Sequence, residues 1–233
     1  MDVVVLVGGR GTRLNSIVNT VPKPLAPVAG RPFFDIILHK LQHAFGQQLN
    51  LVFATGHLHQ CFVDYANQHT HQVNISLSQE LTPLGTGGAI RQALTYCKSE
   101  SVLILNGDCY FDICYRAFVE SIPKGEIISI ASAYVNDISR YGALTFSDNN
   151  TVIDFKEKGQ IGSGYINAGV YLVNKAHLLA TTDMSAFSFE QYLMNFVKTT
   201  PLFAKRYNAE FIDIGTPEDF HKAQSLLKPL PRA

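Results

Sequence analysis

In the first half of the chain, short β-branched runs alternate with stretches whose apolar residues recur every three or four positions. That is the pattern of parallel strands joined by covering helices. Val3-Val4-Val5-Leu6-Val7 reads as a fully buried strand. Phe34, Ile37, Leu38, Leu41 and Phe45 then share one stripe of a helix, and Leu51-Val52-Phe53-Ala54 forms the next strand. A helix over 58–68 leads to Val73-Asn74-Ile75-Ser76-Leu77, whose alternation sends apolar side chains to one face and polar ones to the other. A helix opening after Thr86, a strand over 102–105 and a helix over 113–121 extend the sheet. Beyond Gly125 the texture turns strand-rich, with segments over 127–134, 143–146, 152–155 and 165–173 separated by turn residues such as Asp148-Asn149-Asn150. A helix over 187–197, a strand pair at 202–207 and 210–214, and a helix after Pro217 capped by Thr216 complete the pattern. The expectation is one α/β domain with a strand-rich lobe laid on its sheet, and a loose tail at 228–233.

Composition narrows the function. Of 233 residues, 46% are hydrophobic and 16% charged, enough apolar material for one sizeable core. Lys plus Arg and Asp plus Glu each number 19, so no long-range field gathers polyanions and no nucleic-acid partner is expected. Apolar runs fall far short of the roughly 18 residues that span a bilayer, and Met1-Asp2 replaces a basic leader. No membrane partner is expected, and the location expected is cytoplasmic. Cys61, Cys97, Cys109 and Cys114 show no C-x-x-C pair or zinc-ligand spacing and read as reduced, mostly buried thiols. His57, His59, His69 and His71 fall on a helix and its polar loop, where a metal role is not expected.

The segment Gly8-Gly9-Arg10-Gly11-Thr12-Arg13 follows the first strand without a gap, and its glycines let backbone amides approach an anion. On its own this is either a phosphate cradle or an ordinary glycine-rich turn. No Lys followed by a hydroxyl residue stands where a Walker loop requires it, and Leu14 occupies the third glycine position of a dinucleotide fingerprint. Both of those sites are thereby disfavoured. Arg13 ends the loop and Pro22-Lys23-Pro24 holds a lysine between two prolines, so two cations converge on one anionic ligand such as a triphosphate.

The run Leu6 to Leu14, Pro22-Lys23-Pro24-Leu25 and Gly30-Arg31-Pro32 resembles the signature of the sugar-1-phosphate nucleotidyltransferases. Leu84-Gly85-Thr86-Gly87-Gly88-Ala89, Asn106-Gly107-Asp108, Tyr141-Gly142, Glu157-Lys158, Asn167-Ala168-Gly169-Val170-Tyr171 and Asp213-Ile214-Gly215-Thr216 continue the resemblance in order. Within the family the chain looks most like single-domain guanylyltransferases acting on a heptose 1-phosphate for surface polysaccharide. The resemblance implies a Rossmann-like mixed sheet of GT-A-like type, with residues 1–125 serving the nucleotide, 126–215 the sugar, and 216–233 forming a C-terminal helix and tail. It implies a reaction of GTP with a sugar 1-phosphate giving GDP-sugar and pyrophosphate, assisted by Mg²⁺. Leu6, Gly8, Gly9, Gly11, Thr12, Arg13, Lys23, Glu80, Gly85 and Thr86 would border the nucleotide, and Asn106, Gly142, Glu157, Lys158 and Asn167 the sugar. Catalysis would fall to Arg13, Lys23, Asp108 and Lys158.

Asp108 and Asp213 each end a predicted strand, where α/β sheets place ligands, and the resemblance assigns both to the metal. A lone Asp there is otherwise a turn former, and Gly215 and Pro217 weaken the case for Asp213. Glu80 lies five residues before Gly85, where thymidylyl relatives present a Gln. One carboxylate accepts both N1–H and N2–H₂ of guanine in a fork, whereas uracil or thymine would face it with a carbonyl oxygen. Glu80 therefore favours guanine, unless it is simply an exposed loop residue. Gly159 stands where the family carries proline after Glu157-Lys158, which loosens the aim of Lys158. Two rivals stay open: a uridylyltransferase on another sugar 1-phosphate such as N-acetylmuramate 1-phosphate, and a nucleotide-sugar-binding module without turnover. The oligomeric state is not legible, and the strand-rich lobe is where a homodimer would form.

Overall fold

The computed structural model describes all residues except 15, 16, 19, 70, 157 and 228–233, and Thr12 by its backbone only. The chain runs β1 (Asp2–Leu6), β2 (Pro27–Val28), β3 (Arg31–Pro32), α1 (Phe33–Phe45), β4 (Asn50–Thr55), α2 (His59–His69), β5 (Asn74–Gln79) and α3 (Gly85–Leu94). It continues with β6 (Ser101–Asn106), β7 (Cys109–Phe111), α4 (Tyr115–Glu120), β8 (Ile128–Val135), β9 (Leu144–Phe146) and β10 (Thr151–Phe155). The remaining elements are β11 (Gly164–Asn174), α5 (Lys175–Thr181), α6 (Phe189–Phe196), β12 (Leu202–Tyr207), β13 (Phe211–Asp213) and α7 (Pro217–Leu226). Nine strands form one mixed sheet in the order β5-β4-β1-β6-β11-β8-β12-β10-β9.

The first four strands of that order are mutually parallel, and β11 enters antiparallel to both β6 and β8. Strand β1 is central and apolar at every position because both of its faces are covered. Val3 and Val5 pack with α1, α2 and α4, while Val4 faces α3, α5 and α6. Along α1, Phe34, Ile37 and Leu41 are fully buried, each worth roughly 1.5–3 kcal/mol relative to exposure. The parallel strands β1, β4 and β6 all end at one edge, where Leu6, Ala54 and Asn106 share a register, and that edge is where the chain's loops gather.

Three readings of the sequence need correction. The segments 202–207 and 210–214 do not pair with each other: β12 joins the main sheet parallel to β8, and β13 leaves it to pair antiparallel with β7. Of the thiols, Cys97 is buried, Cys61 and Cys109 are half-buried, and Cys114 is exposed because it stands just outside the first turn of α4. Helix α5 was not anticipated, although Asn174 is an apt cap for it, its side chain accepting from the His177 N–H at 2.8 Å. The cap expected at Thr216 is present, accepting from the Asp219 N–H at 3.3 Å. The tail at 228–233 lies outside the described residues.

Candidate functional site

A cavity of about 770 Å³ opens at the carboxyl edge of β1, β4 and β6. Of the residues expected to meet a nucleotide, Leu6, Gly8, Gly9, Gly11, Lys23, Glu80, Gly85 and Thr86 line it, joined by Asp108. Glu80 follows β5, and its carboxylate is wedged between two backbones: a Cβ on Gly56 would lie 2.5 Å from Oε1, and one on Gly8 2.9 Å. The Leu84 N–H donates to Oε2 at 2.9 Å, which fixes the orientation of the group. Glu80 is therefore a held carboxylate at a cavity wall rather than a free loop residue.

Lys23 lies in a single 3₁₀ turn bracketed by Pro22 and Pro24, with the Ala26 N–H closing the turn onto the Lys23 carbonyl. Its stem crosses Gly11, where φ is +62° and a Cβ would meet Lys23 Cγ at 3.0 Å, so glycine loop and lysine are fitted to each other. Lys23 Nζ lies 3.6 Å from Asp108 Oδ2. Arg13 is placed otherwise than expected, being exposed and outside the lining, while Arg10 lines the cavity. The loop turns through a 3₁₀ helix at Thr12–Leu14 that buries Leu14, and Arg13 beside it points outward. Thr86 lines the wall, but its hydroxyl accepts from the Phe189 N–H at 2.9 Å, anchoring the start of α6.

Asp108 and Asp213 converge because β7 pairs with β13, setting Asp213 opposite Cys109, and the Ile214 N–H donates to the Asp108 carbonyl at 3.0 Å. Oxygens of both carboxylates and the Cys109 sulfur all lie within 4.8 Å of one another. Burial, then the Asp108 charge, pushes the Asp213 carboxyl up to about 6, against the opposing pull of Lys23. Burial and both carboxylates hold the Cys109 thiol well above its usual range, so it stays protonated at neutral pH. Two hard oxygen donors repelling each other suit a cation of the Mg²⁺ kind, and a neutral thiol is a poor ligand for such an ion.

The Asp213 shift has a sign that can be measured. A folded pKa of about 6 against an ordinary 3.8 means the folded chain binds more protons between those values, so stability falls as pH rises from about 4 to about 6. Asp213→Asn keeps the acceptor for the Gly215 N–H, now met at 2.7 Å, and removes the charge. With divalent cations chelated, the variant is expected to melt several degrees above the wild type at pH 7, the rise from 3.8 to about 6 corresponding to at most about 3 kcal/mol. The two curves should converge near pH 4, and a gap independent of pH in calorimetric scans would contradict the assignment.

A second cavity of about 370 Å³ is lined by Tyr141, Gly142, Phe155, Lys156, Lys158, Asn167, Glu190 and Met194, among others. Gly142, Lys158 and Asn167, expected to border a sugar, share this lining, while Glu157 lies outside the described residues. Asn167 is less free than its chemistry suggests, since Oδ1 accepts from the Gly169 N–H at 3.0 Å and Nδ2 donates to the Tyr171 hydroxyl at 2.8 Å. These bonds hold a register shift in β11 opposite β8. Asn106 lines the first cavity rather than the second, and it presses on that irregular stretch: a Cβ on Gly169 would lie 2.5 Å from Asn106 Nδ2. Gly169 in turn donates its N–H to Asn167, so one residue links Asn106 of the first lining to Asn167 of the second.

Sequence reasoning missed Arg10, Lys156 and Glu190. Arg10 lies inside the glycine loop and Lys156 lies two residues before Lys158, so both were open to inspection; Glu190 carries no local signal and is brought in by the packing of α6.

The chain is 38% identical over 233 residues to a D-glycero-α-D-manno-heptose 1-phosphate guanylyltransferase of Aneurinibacillus thermoaerophilus, covering 98% of this chain and 99% of that one. A protein of the same name from Campylobacter jejuni is 35% identical, covering 95% and 97%. Among solved structures, HddC of Yersinia pseudotuberculosis complexed with GMP-PN superposes with a TM-score of 0.84 at 33% identity, covering 97% and 99%. The mixed sheet is thus the GT-A-like fold of nucleotidyltransferases. Residues 2–228 match the family model described as Nucleotidyl transferase, and the chain belongs to that family of enzymes.

Proposed function

We propose that the chain transfers GMP from GTP to D-glycero-α-D-manno-heptose 1-phosphate, yielding GDP-heptose and pyrophosphate for surface polysaccharide. The observation that carries this reading is the pair of adjoining cavities. One holds a glycine loop, Lys23 and Asp108, the other two lysines, and Gly169 links them, packed on Asn106 of the first and bonded to Asn167 of the second. The names of the two full-length relatives and the guanine nucleotide in the HddC structure support the choice of base and sugar. The lining residues fall within 6–108 and 141–194 respectively, which supports assigning 1–125 to the nucleotide, 126–215 to the sugar and 216–233 to a terminal helix and tail.

In this reaction a sugar-phosphate oxygen attacks the α-phosphorus of GTP as the bond to the bridging oxygen breaks and pyrophosphate departs. No protein nucleophile is needed, so the residues act by positioning and by neutralising charge. Backbone amides of Gly8, Gly9 and Gly11 border the phosphates, with Lys23 at the α-phosphate and Lys158 at the incoming anion. Arg10, which lines the first cavity, is assigned to the leaving pyrophosphate, the role the sequence pattern suggested for Arg13. Asp108 and Asp213 would hold Mg²⁺, which when bound neutralises phosphate oxygens. The substrates are charged metabolites, and among the described residues no helix is long and apolar enough to cross a membrane. The charge of those substrates supports a cytoplasmic setting for the reaction. A homodimer, if formed, is assigned to the strand-rich part.

The test is pyrophosphate release with GTP, UTP, CTP, ATP and dTTP against a set of sugar 1-phosphates. GTP with the heptose 1-phosphate is expected to lead. A preference for UTP would overturn the base assignment, and a flat result would point to a binding module. A companion variant checks the join between cavities. Gly169 has φ +70° and no room for a methyl, so Gly169→Ala should shift Asn106 and lower kcat/KM by about tenfold to a hundredfold while the circular-dichroism spectrum is kept.

A further inference from the structure

We infer that Glu190, at the first turn of α6, selects the sugar by accepting hydroxyl hydrogen bonds from the polyol end of the sugar 1-phosphate. The inference rests on the proposed reaction and adds a residue that the strand and loop motifs do not contain. Glu190 is the sole carboxylate among the described residues that line the second cavity, where it stands with Lys156, Lys158 and Asn167. A sugar 1-phosphate has one strongly anionic end and one neutral end rich in hydroxyl donors. The lysines suit the first, and a carboxylate would repel it, so the ligand's polarity orients it with hydroxyls toward Glu190.

Neighbouring geometry supports this. Asn167 already uses one donor and one acceptor on Tyr171 and Gly169, so it cannot by itself satisfy a sugar with several hydroxyls. The Tyr171 hydroxyl, to which Asn167 donates, is raised above its usual pKa chiefly by burial, with the Glu190 charge adding to the effect. Glu190 has no ion pair among the described residues. Its position is set by Ser188, which caps α6 by accepting from the Gln191 N–H, and by Thr86 of the first cavity, whose hydroxyl accepts from the Phe189 N–H. An acidic residue in a first helical turn also favours the helix dipole, and that role alone would show in stability and not in substrate choice.

The experiment compares wild type, Glu190→Gln and Glu190→Ala with GTP and the heptose 1-phosphate, with mannose 1-phosphate, and with deoxy analogues lacking single hydroxyls. Expected is a rise of about tenfold or more in KM for the heptose 1-phosphate in Glu190→Ala, a smaller rise in Glu190→Gln, and KM for GTP unchanged. One deoxy analogue should be as poor for the wild type as the full sugar is for Glu190→Ala, with no further loss when the two changes are combined. An unchanged KM for every sugar phosphate, with only the melting temperature altered, would reduce Glu190 to a helix-end residue. Absence of turnover by the wild type with every sugar phosphate would instead overturn the proposed reaction itself.

Discussion

Lys23→Ala and Asp108→Ala are each expected to lower turnover with GTP by about a hundredfold or more while the chain stays folded. Both side chains stand at the carboxyl edge of the sheet, 3.6 Å apart, and are positioned by backbone rather than by core packing. Removing one preorganised charge from a site where anionic oxygens must be brought together costs on the order of 2.7–4 kcal/mol of barrier. The variants should part company in stability, which separates the site from a general loss of structure. Lys23 pulls the Asp213 carboxyl down and Asp108 pushes it up. Losing Lys23 therefore leaves two facing carboxylates less compensated at pH 7 and lowers the melting temperature, whereas losing Asp108 relieves Asp213 and raises it. Two inactive variants with opposite shifts in melting temperature are the expected signature. Near-native rates in both would show that the charge cluster is not where the chemistry occurs.

What the sequence made legible follows from how local each cause is. Strand β1 announces itself because a central strand buried on both faces must be apolar at every position, and Val3, Val4 and Val5 are all fully buried. The glycine loop and Pro22-Lys23-Pro24 were readable because their geometry is written in residues that restrict or free the backbone. Contacts set by distant packing were not readable. Nothing near Asn106 says that it presses on Gly169 and so faces the nucleotide cavity, because that contact depends on β11 entering the sheet beside β6. The pairing of 210–214 was misread for the same reason, since its partner is β7, about a hundred residues earlier. Glu190 was illegible because a glutamate at the start of a helix has a sufficient local explanation, and only the fold turns that end toward Lys158 and Asn167.

Glu80→Gln is expected to reverse the preference for base more than it disturbs the fold. The carboxylate is clamped by the Leu84 N–H on Oε2 and by the backbones of Gly8 and Gly56 against Oε1, so an amide of the same shape occupies the same place. What changes is chemistry: a carboxylate offers only acceptors, matching the adjacent donors N1–H and N2–H₂ of guanine, whereas an amide presents one acceptor and one donor. With one oxygen kept on Leu84, the NH₂ of Gln would confront a guanine donor, yet it would suit the donor-beside-acceptor edge of uracil or thymine. Hydrogen bonds to a charged group contribute about 1.5–3 kcal/mol, so kcat/KM for GTP should fall about tenfold to a hundredfold while that for UTP and dTTP holds or rises. The ratio of GTP to UTP turnover is the measurement, since it cancels any general loss of activity. If that ratio stays fixed, guanine is recognised elsewhere on the wall, and the fit of Glu80 between Gly8 and Gly56 serves the shape of the cavity alone.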